Sequence, residues 1–343
     1  MTAEVFRSPA FLRPQETLSV SQLAPTILKS QTTYPYPLSL LLTAESAEKW
    51  QMYENIMIAC LSTGDDKSAY IALESLTTRF GIDNERVQAL QGLYNEAVAK
   101  DNAELQKVLT QYEKLIEEKP VNMPIRKRRV ALLRSMGKTA EAVKALTELL
   151  DVSPTDAEAW SELADLYLVQ GLLSQAVYCL EEVLLTTPNA WNVHARLGET
   201  IVLMANAAEG QGDKLKLLSE AMRRFCRSVE LCDDYLRGFY GLRLVCSLII
   251  RQGHTDTSCQ TTNRLKQILN STTKVPSASS ELPGDLAPPS LVSIEKLNEI
   301  STSKLAEIVR KGSAREAGWD GYDEAELIAA RELLDRDTPS IAR

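Results

Sequence analysis

The sequence has no apolar run near the ~20 residues that a bilayer-spanning helix requires. Its greasiest stretch, Leu38 to Leu42, is far too short. Nor does the N-terminus carry a basic segment leading into an apolar one, so no secretory signal is read there. Histidine is scarce, with only His194 and His254, and the six cysteines (Cys60, Cys179, Cys226, Cys232, Cys246 and Cys259) include no Cys-x-x-Cys pair. That leaves no zinc-ligand spacing and no disulfide framework. Cys60, Cys179 and Cys246 lie inside apolar helical stretches, which marks them as reduced, buried small hydrophobes. A Gly-rich phosphate loop, His-Glu-x-x-His and Gly-x-Ser-x-Gly are all missing, and so are the strands on which such motifs sit. Glu158, Glu162 and Asp165 are spaced to fall on the watered side of a helix rather than as a catalytic pair. The expectation is a non-enzyme with no catalytic residue, no metal and no cofactor. A net charge of −8 and an isoelectric point of about 5.1 argue against nucleic acid or a polybasic membrane surface as its main business.

What is present is a period. Pro120, Pro154 and Pro188 stand 34 residues apart, and Gly137/Gly171, Ala142/Ala176 and Leu146/Leu180 repeat at the same interval. A 34-residue self-similarity with a closing proline is the mark of the tetratricopeptide helix-turn-helix unit. The fullest copy reads Trp160, Leu163, Ala164, Tyr167, then Ala176, Leu180, Val183 and Pro188. The first four fall at i, i+3, i+4 and i+7, one stripe of a helix, and the next three form the stripe of its antiparallel partner. Ala164 and Ala176 are small where the helices cross, Gly171 permits the turn, and Pro188 ends the second helix. The fold class expected is all-α: a tetratricopeptide solenoid, a right-handed superhelix of helix-turn-helix units, with a C-terminal capping helix. A length of 343 residues suits such a stack.

Along the chain, residues 1–44 form a Pro-rich arm in which helix is limited to pieces such as Thr17 to Leu23, expected to lie along the solenoid and shelter Phe6, Phe11, Leu12 and Leu18. The solenoid is assigned to 45–270, beginning with a degenerate repeat around Trp50, Tyr53 and Met57. A second repeat starts near Glu85, with a turn at Lys100 to Ala103 that looks long. The repeat closing at Pro154 carries Arg126 and Arg129 where Trp160 and Leu163 stand in the next one. After Pro188 an insertion near Asn206 to Lys216 delays the alanine due at 210 to Ala221. Tyr240, Gly241, Leu244 and Leu248 make a last first-helix stripe, to which Leu265, Ile268 and Leu269 would supply the partner. Residues 271–290 read as a flexible linker, 291–311 as the capping helix, and 312–343 as a charged tail with a marginal surface helix across Asp323 to Leu334.

Binding is the role that such an array serves. In the tetratricopeptide family the groove is lined by repeat positions 2, 5, 6, 9 and 12, which fall here on Pro124, Lys127, Arg128, Ala131 and Arg134; on Glu158, Ser161, Glu162, Asp165 and Leu168; and on Asn192, Ala195, Arg196, Glu199 and Val202. From these, Lys127, Arg128, Arg134, Glu158, Ser161, Glu162, Asp165, Asn192, Arg196 and Glu199 are the candidate partner-binding residues. The groove is basic on its N-terminal side and acidic in the middle, which would steer a partner of complementary charge. Two readings of the basic run stand together: a solvated helix face, or a contact with acidic partner residues or lipid headgroups. Arg129, in a slot commonly apolar, calls for a specific pairing. The clamp by which chaperone adaptors hold the C-terminal carboxylate of a heat-shock protein is missing, because Ala131 and Glu162 occupy slots that need asparagine.

Beyond the generic repeat, Trp50-x-x-Tyr53-Glu54-x-x-Met57-Ile58-Ala59, the run Arg126-Lys127-Arg128-Arg129, and Asp156-x-Glu158-Ala159-Trp160-x-Glu162-Leu163-Ala164 leading to Cys179-Leu180-Glu181-Glu182 resemble the family of subunit 2 of the endoplasmic reticulum membrane protein complex, over about residues 45–270. The arm, the linker and the tail depart from the compact family pattern and resemble a fungal elaboration. The resemblance implies a non-catalytic scaffold, peripheral on the cytosolic face of the endoplasmic reticulum and attached to the membrane only through partners. Those partners would be the other subunits of the complex, including cytosolic segments of its membrane-embedded members, in an insertase for transmembrane and tail-anchored proteins. The alternative is a free cytosolic adaptor for chaperones or other soluble clients.

Overall fold

The computed structural model describes residues 13–31, 47–254, 289–316, 318–319 and 321–336. Among these residues there are fourteen helices and no strand, arranged as the tetratricopeptide array that the period implied. No helix of the described residues is long and apolar enough to cross a membrane. Contacts divide the chain into two compact units, Met1–Pro154 and Thr155–Arg343.

In the first unit α1 (Pro14–Gln31) packs on α2 (Ala47–Thr63) and α3 (Asp66–Phe80). Its Val20, Ala24 and Leu28, four residues apart, join Met52, Ile56, Cys60 and Leu73 in one apolar cluster. At 18 residues α1 is far longer than the pieces expected in the arm. Pro14 starts the helix, where the missing N–H has no partner to lose. Pro25 lies inside it at a cost of about 3 kcal/mol, but burying Val20 and Leu28 returns roughly 1.5–3 kcal/mol each. Leu18 stays half exposed, while Phe6, Phe11 and Leu12 lie outside the described residues.

Two more pairs follow, α4 (Glu85–Val98) with α5 (Asn102–Glu118) and α6 (Met123–Ser135) with α7 (Thr139–Val152). The turn between α4 and α5 is residues 99–101, no longer than residues 136–138 between α6 and α7, so the long turn expected there does not occur. The side chains of Asn84, Asp101 and Asn122 cap the helices that follow them, each worth about 1 kcal/mol.

The second unit contains α8 (Ala157–Val169), α9 (Leu173–Thr186), α10 (Trp191–Ala207), α11 (Gln211–Leu231), α12 (Leu236–His254), α13 (Leu291–Ser313) and α14 (Glu324–Arg336). Asp156 caps α8 from the slot that Asn122 fills one repeat earlier. Gly137 and Gly171 take φ of 72° and 74° just beyond α6 and α8, a left-handed turn that a side chain would strain. Pro120, Pro154 and Pro188 each stand two residues past the end of a second helix.

The insertion after Pro188 does not loop out. It lengthens helices: α10 has 17 residues against 13 in α8, and α11 has 21 against 14 in α9. Four and seven residues are close to one and two turns, so the buried stripes stay in phase. Phe225 of α11 shows how tightly they meet. It fills the space over Gly198 of α10 and Gly241 of α12, where an added Cβ would lie 2.9 Å and 2.1 Å from its ring.

Beyond α12, the helix expected as a cap, α13, lies along α12 much as a second helix lies along its first, and α14 packs on both. The tail helix is not marginal. Leu327, Ala330 and Leu333 of α14 are buried with Leu236, Phe239, Leu305 and Ile308. Arg243 reaches from α12 to Thr302 Oγ1 and to the Leu333 carbonyl, at 3.4 Å for the latter. Leu265, Ile268, Leu269 and Cys259 lie outside the described residues, as do 271–288 of the linker. The five described cysteines are free thiols, and burial pushes Cys60 and Cys179 up to about 11 and Cys246 up to about 12.

Gly241→Ala should destabilise the second unit by about 1–3 kcal/mol through overpacking against Phe225. Adding Phe225→Leu should recover part of that loss. Chemical denaturation of the two single variants and the double variant measures the coupling, and additive losses would show that the ring does not depend on the glycine.

Candidate functional site

The basic helix α6 is the first of the two regions singled out by sequence. Three of its cations, Arg126, Arg128 and Arg129, bond within their own chain. Arg129 donates to Glu148 Oε2 of α7 at 2.9 Å, and Arg126 donates to the Pro120 carbonyl at 2.7 Å and the Glu148 carbonyl at 3.4 Å. The specific pairing that Arg129 called for is therefore the opposing helix of its own repeat. Arg128 forks onto both oxygens of Glu96 in α4, with the Nε contact at 3.2 Å. Glu96 also accepts from Tyr112 of α5, whose ring fills the space over Gly92. Burial raises the Tyr112 pKa, and the adjacent Glu96 carboxylate raises it further, so the phenol stays a donor. One carboxylate thus ties α4, α5 and α6 together. Lys127 and Arg134 also have partners, as do Glu158 and Glu162 of α8.

The second region is a concavity of about 350 Å³ within the second unit. It brings together Ser161 of α8 with Asn192, Arg196 and Glu199 of α10, four of the ten candidate residues. Leu168, Val193 and Leu203 give it an apolar wall, and Tyr235 and Arg237 complete it from the start of α12. Asp165, the fifth candidate in this unit to find its neighbour, ion-pairs with Arg196 from α8. Ala195 and Val202, assigned to groove positions, are 1% and 7% exposed, because α10 is enclosed by α9, α11 and α12.

The electrostatics of the concavity are set by pairs. Arg196 holds Asp165, and Arg237 holds Glu326 of α14 at 2.7 Å, which raises the Arg237 pKa. Glu199 makes no hydrogen bond or ion pair among the described residues. The side chain is exposed, but the surrounding chain displaces part of its water and raises its pKa. Arg237 and Arg196 act to lower it, and Glu326 acts to raise it. Tyr235, Arg237 and Glu326 were missed in the sequence because they follow the insertion, where the 34-residue register no longer assigns groove positions. Nearby, His194 stands in the slot of Trp160 and is 7% exposed, its Nε2 bonding the Pro188 carbonyl at 3.0 Å. It serves the repeat junction rather than the concavity.

Residues 83–208 match a family model described as the EMC2 TPR-like repeat domain. The chain is 34% identical over 210 residues to the TPR repeat protein oca3 of Schizosaccharomyces pombe, spanning 61% of this chain and 70% of that protein. It is 32% identical over 193 residues to the ER membrane protein complex subunit 2 of Xenopus tropicalis, 56% of this chain and 61% of the frog protein. The protein of that name in Saccharomyces cerevisiae is 33% identical over 126 residues, 37% of this chain and 43% of the yeast protein. The match thus spans less than two thirds of the frog and budding-yeast relatives. A solved tetratricopeptide repeat protein from Parabacteroides merdae aligns over 84% of this chain and 100% of its own at 15% identity, with a TM-score of 0.38, too slight a likeness to carry an argument.

Arg128→Met should lower the stability of the first unit by about 1–3 kcal/mol, since it strands the Glu96 carboxylate beside Tyr112. Glu96→Gln in the same background should restore part of it, as read by a double-mutant cycle. In the second unit the sign is opposite. The folded state holds the Glu199 proton more tightly than the unfolded chain, so stability falls as pH rises through the raised pKa. Glu199→Gln should match the wild type in acid and exceed it at neutral pH, by at most ~0.5 kcal/mol at such an accessible site. Denaturation at two pH values checks this, and a loss at neutral pH would contradict it.

Proposed function

The chain belongs to the family of ER membrane protein complex subunit 2, and from that premise we propose that it is the tetratricopeptide subunit of such a complex. It is a non-catalytic scaffold, peripheral on the cytosolic face of the endoplasmic reticulum and joined to the membrane through its partners. It holds cytosolic segments of the membrane-embedded subunits in place, within an insertase that delivers transmembrane and tail-anchored proteins to the bilayer.

The observation that carries this reading is the concavity of the second unit, where Ser161, Asn192 and Glu199 present polar groups beside the apolar Leu168, Val193 and Leu203. A mixed surface of this kind suits an extended peptide segment, whose backbone needs hydrogen bonds and whose side chains need both walls and charges. The cations of α6 support the scaffold reading from the other side. Their pairing with Glu96 and Glu148 stiffens the repeats rather than advertising a free basic patch. A rigid array loses little conformational entropy when a segment docks.

Affinity purification from detergent-solubilised membranes is the direct test. The expected result is co-purification with several membrane-embedded proteins, sedimentation with microsomes until detergent dissolves the complex, and loss of the chain when those proteins are depleted. Recovery in the soluble fraction with chaperones alone would favour the free adaptor instead.

A further inference from the structure

We propose that the concavity around Glu199 is an anchoring site for a single basic side chain, arginine or lysine, projecting from an extended segment of a partner protein. This rests on the scaffold reading above and names the chemistry of what the scaffold holds.

Most of the charge at the site is already paired. Three charged groups line the site, Arg196 and Glu199 of α10 and Arg237 of α12, and two carboxylates pair with its arginines, Asp165 of α8 and Glu326 of α14. Tyr235, just before α12, is the remaining titratable group. Both guanidinium groups have a carboxylate, Arg196 holding Asp165 and Arg237 holding Glu326. Two positive and three negative charges leave a net of one negative charge, and it resides on Glu199. An incoming acidic side chain would meet arginines whose charge a carboxylate already balances, and would face Glu199 as a like charge. An incoming cation meets a carboxylate with nothing bonded to it.

The uncharged groups fit the same occupant. Ser161, Asn192 and Tyr235 make no side-chain hydrogen bond among the described residues, so their oxygens are free to accept from an ammonium or guanidinium group. Leu203, 51% exposed, and Leu168 stand where the aliphatic stem of a long basic residue would lie. Partial desolvation of Glu199 sharpens the effect, since a charge-assisted bond is stronger where water is displaced. The unpaired carboxylate disfavours its own ionised form when the site is empty, and the arriving cation removes that penalty.

A photo-reactive benzoylphenylalanine in place of Leu203, in the full chain expressed in cells, tests the proposal on the protein as it exists. Membranes are irradiated, and the cross-linked segment is identified by mass spectrometry. The expected segment belongs to another chain and carries arginine or lysine within a few residues of the cross-link. Glu199→Gln should lower the cross-link yield roughly tenfold, the effect of about 1.4 kcal/mol, and Glu199→Asp should retain part of it. Thermal denaturation of the Gln variant confirms that the loss is not unfolding. A cross-linked segment lacking a basic residue, a yield unchanged by Glu199→Gln, or no cross-linked chain while the other subunits co-purify would each overturn the proposal. A basic segment captured from a soluble protein, with no other subunits recovered, would sustain the anchor and overturn the scaffold reading instead.

Discussion

Close crossing of helices at small residues is the constraint on which the rest of this structure depends. An array without a central core is held only by neighbour contacts, so each crossing must reach interior packing density by itself. The chain achieves this by opposing a ring with a gap. Tyr112 fills the space over Gly92, and Phe225 fills the space over both Gly198 and Gly241. Ala164 and Ala176 serve the same purpose in the intervening pair, both fully buried. Where a small residue and a ring must coincide, the register of the helices is set to within a residue. The inner-face side chains inherit that register, which is why Ser161, Asn192 and Glu199 converge on one concavity.

Charge is used differently in the two units. In the first, Arg126 and Arg129 stand in slots that are apolar in the next repeat, and they and Arg128 find their partners within the array. Such half-buried pairs are directional, and a single carboxylate such as Glu96 joins three helices where a leucine would join two by contact alone. Around the concavity of the second unit the pairing is incomplete by one. Glu199 is left as an accessible, partly desolvated carboxylate beside arginines that are already engaged, an arrangement that costs a little stability in the unbound chain. Residues that cost stability without serving the fold are commonly those kept for binding.

The architecture was legible in the sequence because its signals are local. A 34-residue spacing of Pro120, Pro154 and Pro188, and helical stripes such as Trp160 to Tyr167, depend on nothing far away. The convergence of Ser161, Asn192, Arg196 and Glu199 was legible for the same reason. What could not be read were features that depend on distant segments. The length of α1 follows from burial against α2 and α3, which overrides Pro25. The engagement of Arg128 with Glu96 spans 32 residues and has no spacing rule behind it. Tyr235, Arg237 and Glu326 follow the insertion, where the repeat no longer predicts which residue faces inward. Ala195 and Val202 misled because a groove position was transferred to a helix that is enclosed on more sides than its counterparts.

The fastening of α14 has a consequence for the order in which the protein is made. Arg237 to Glu326, Arg243 to the Leu333 carbonyl, and Tyr322 to the Asp234 carbonyl join residues 89, 90 and 88 apart in sequence. The ties between repeats in the first unit are far shorter, such as the 32 residues from Glu96 to Arg128. A chain emerging from the ribosome can therefore close the first unit repeat by repeat, while the apolar face of α12 waits for the C-terminus. Until α13 and α14 arrive, Leu236 and Phe239 lack the covering they have in the finished protein. The interval between synthesis of α12 and of α14 is when this chain is most open to a chaperone, to aggregation, or to a partner that binds before the array is complete.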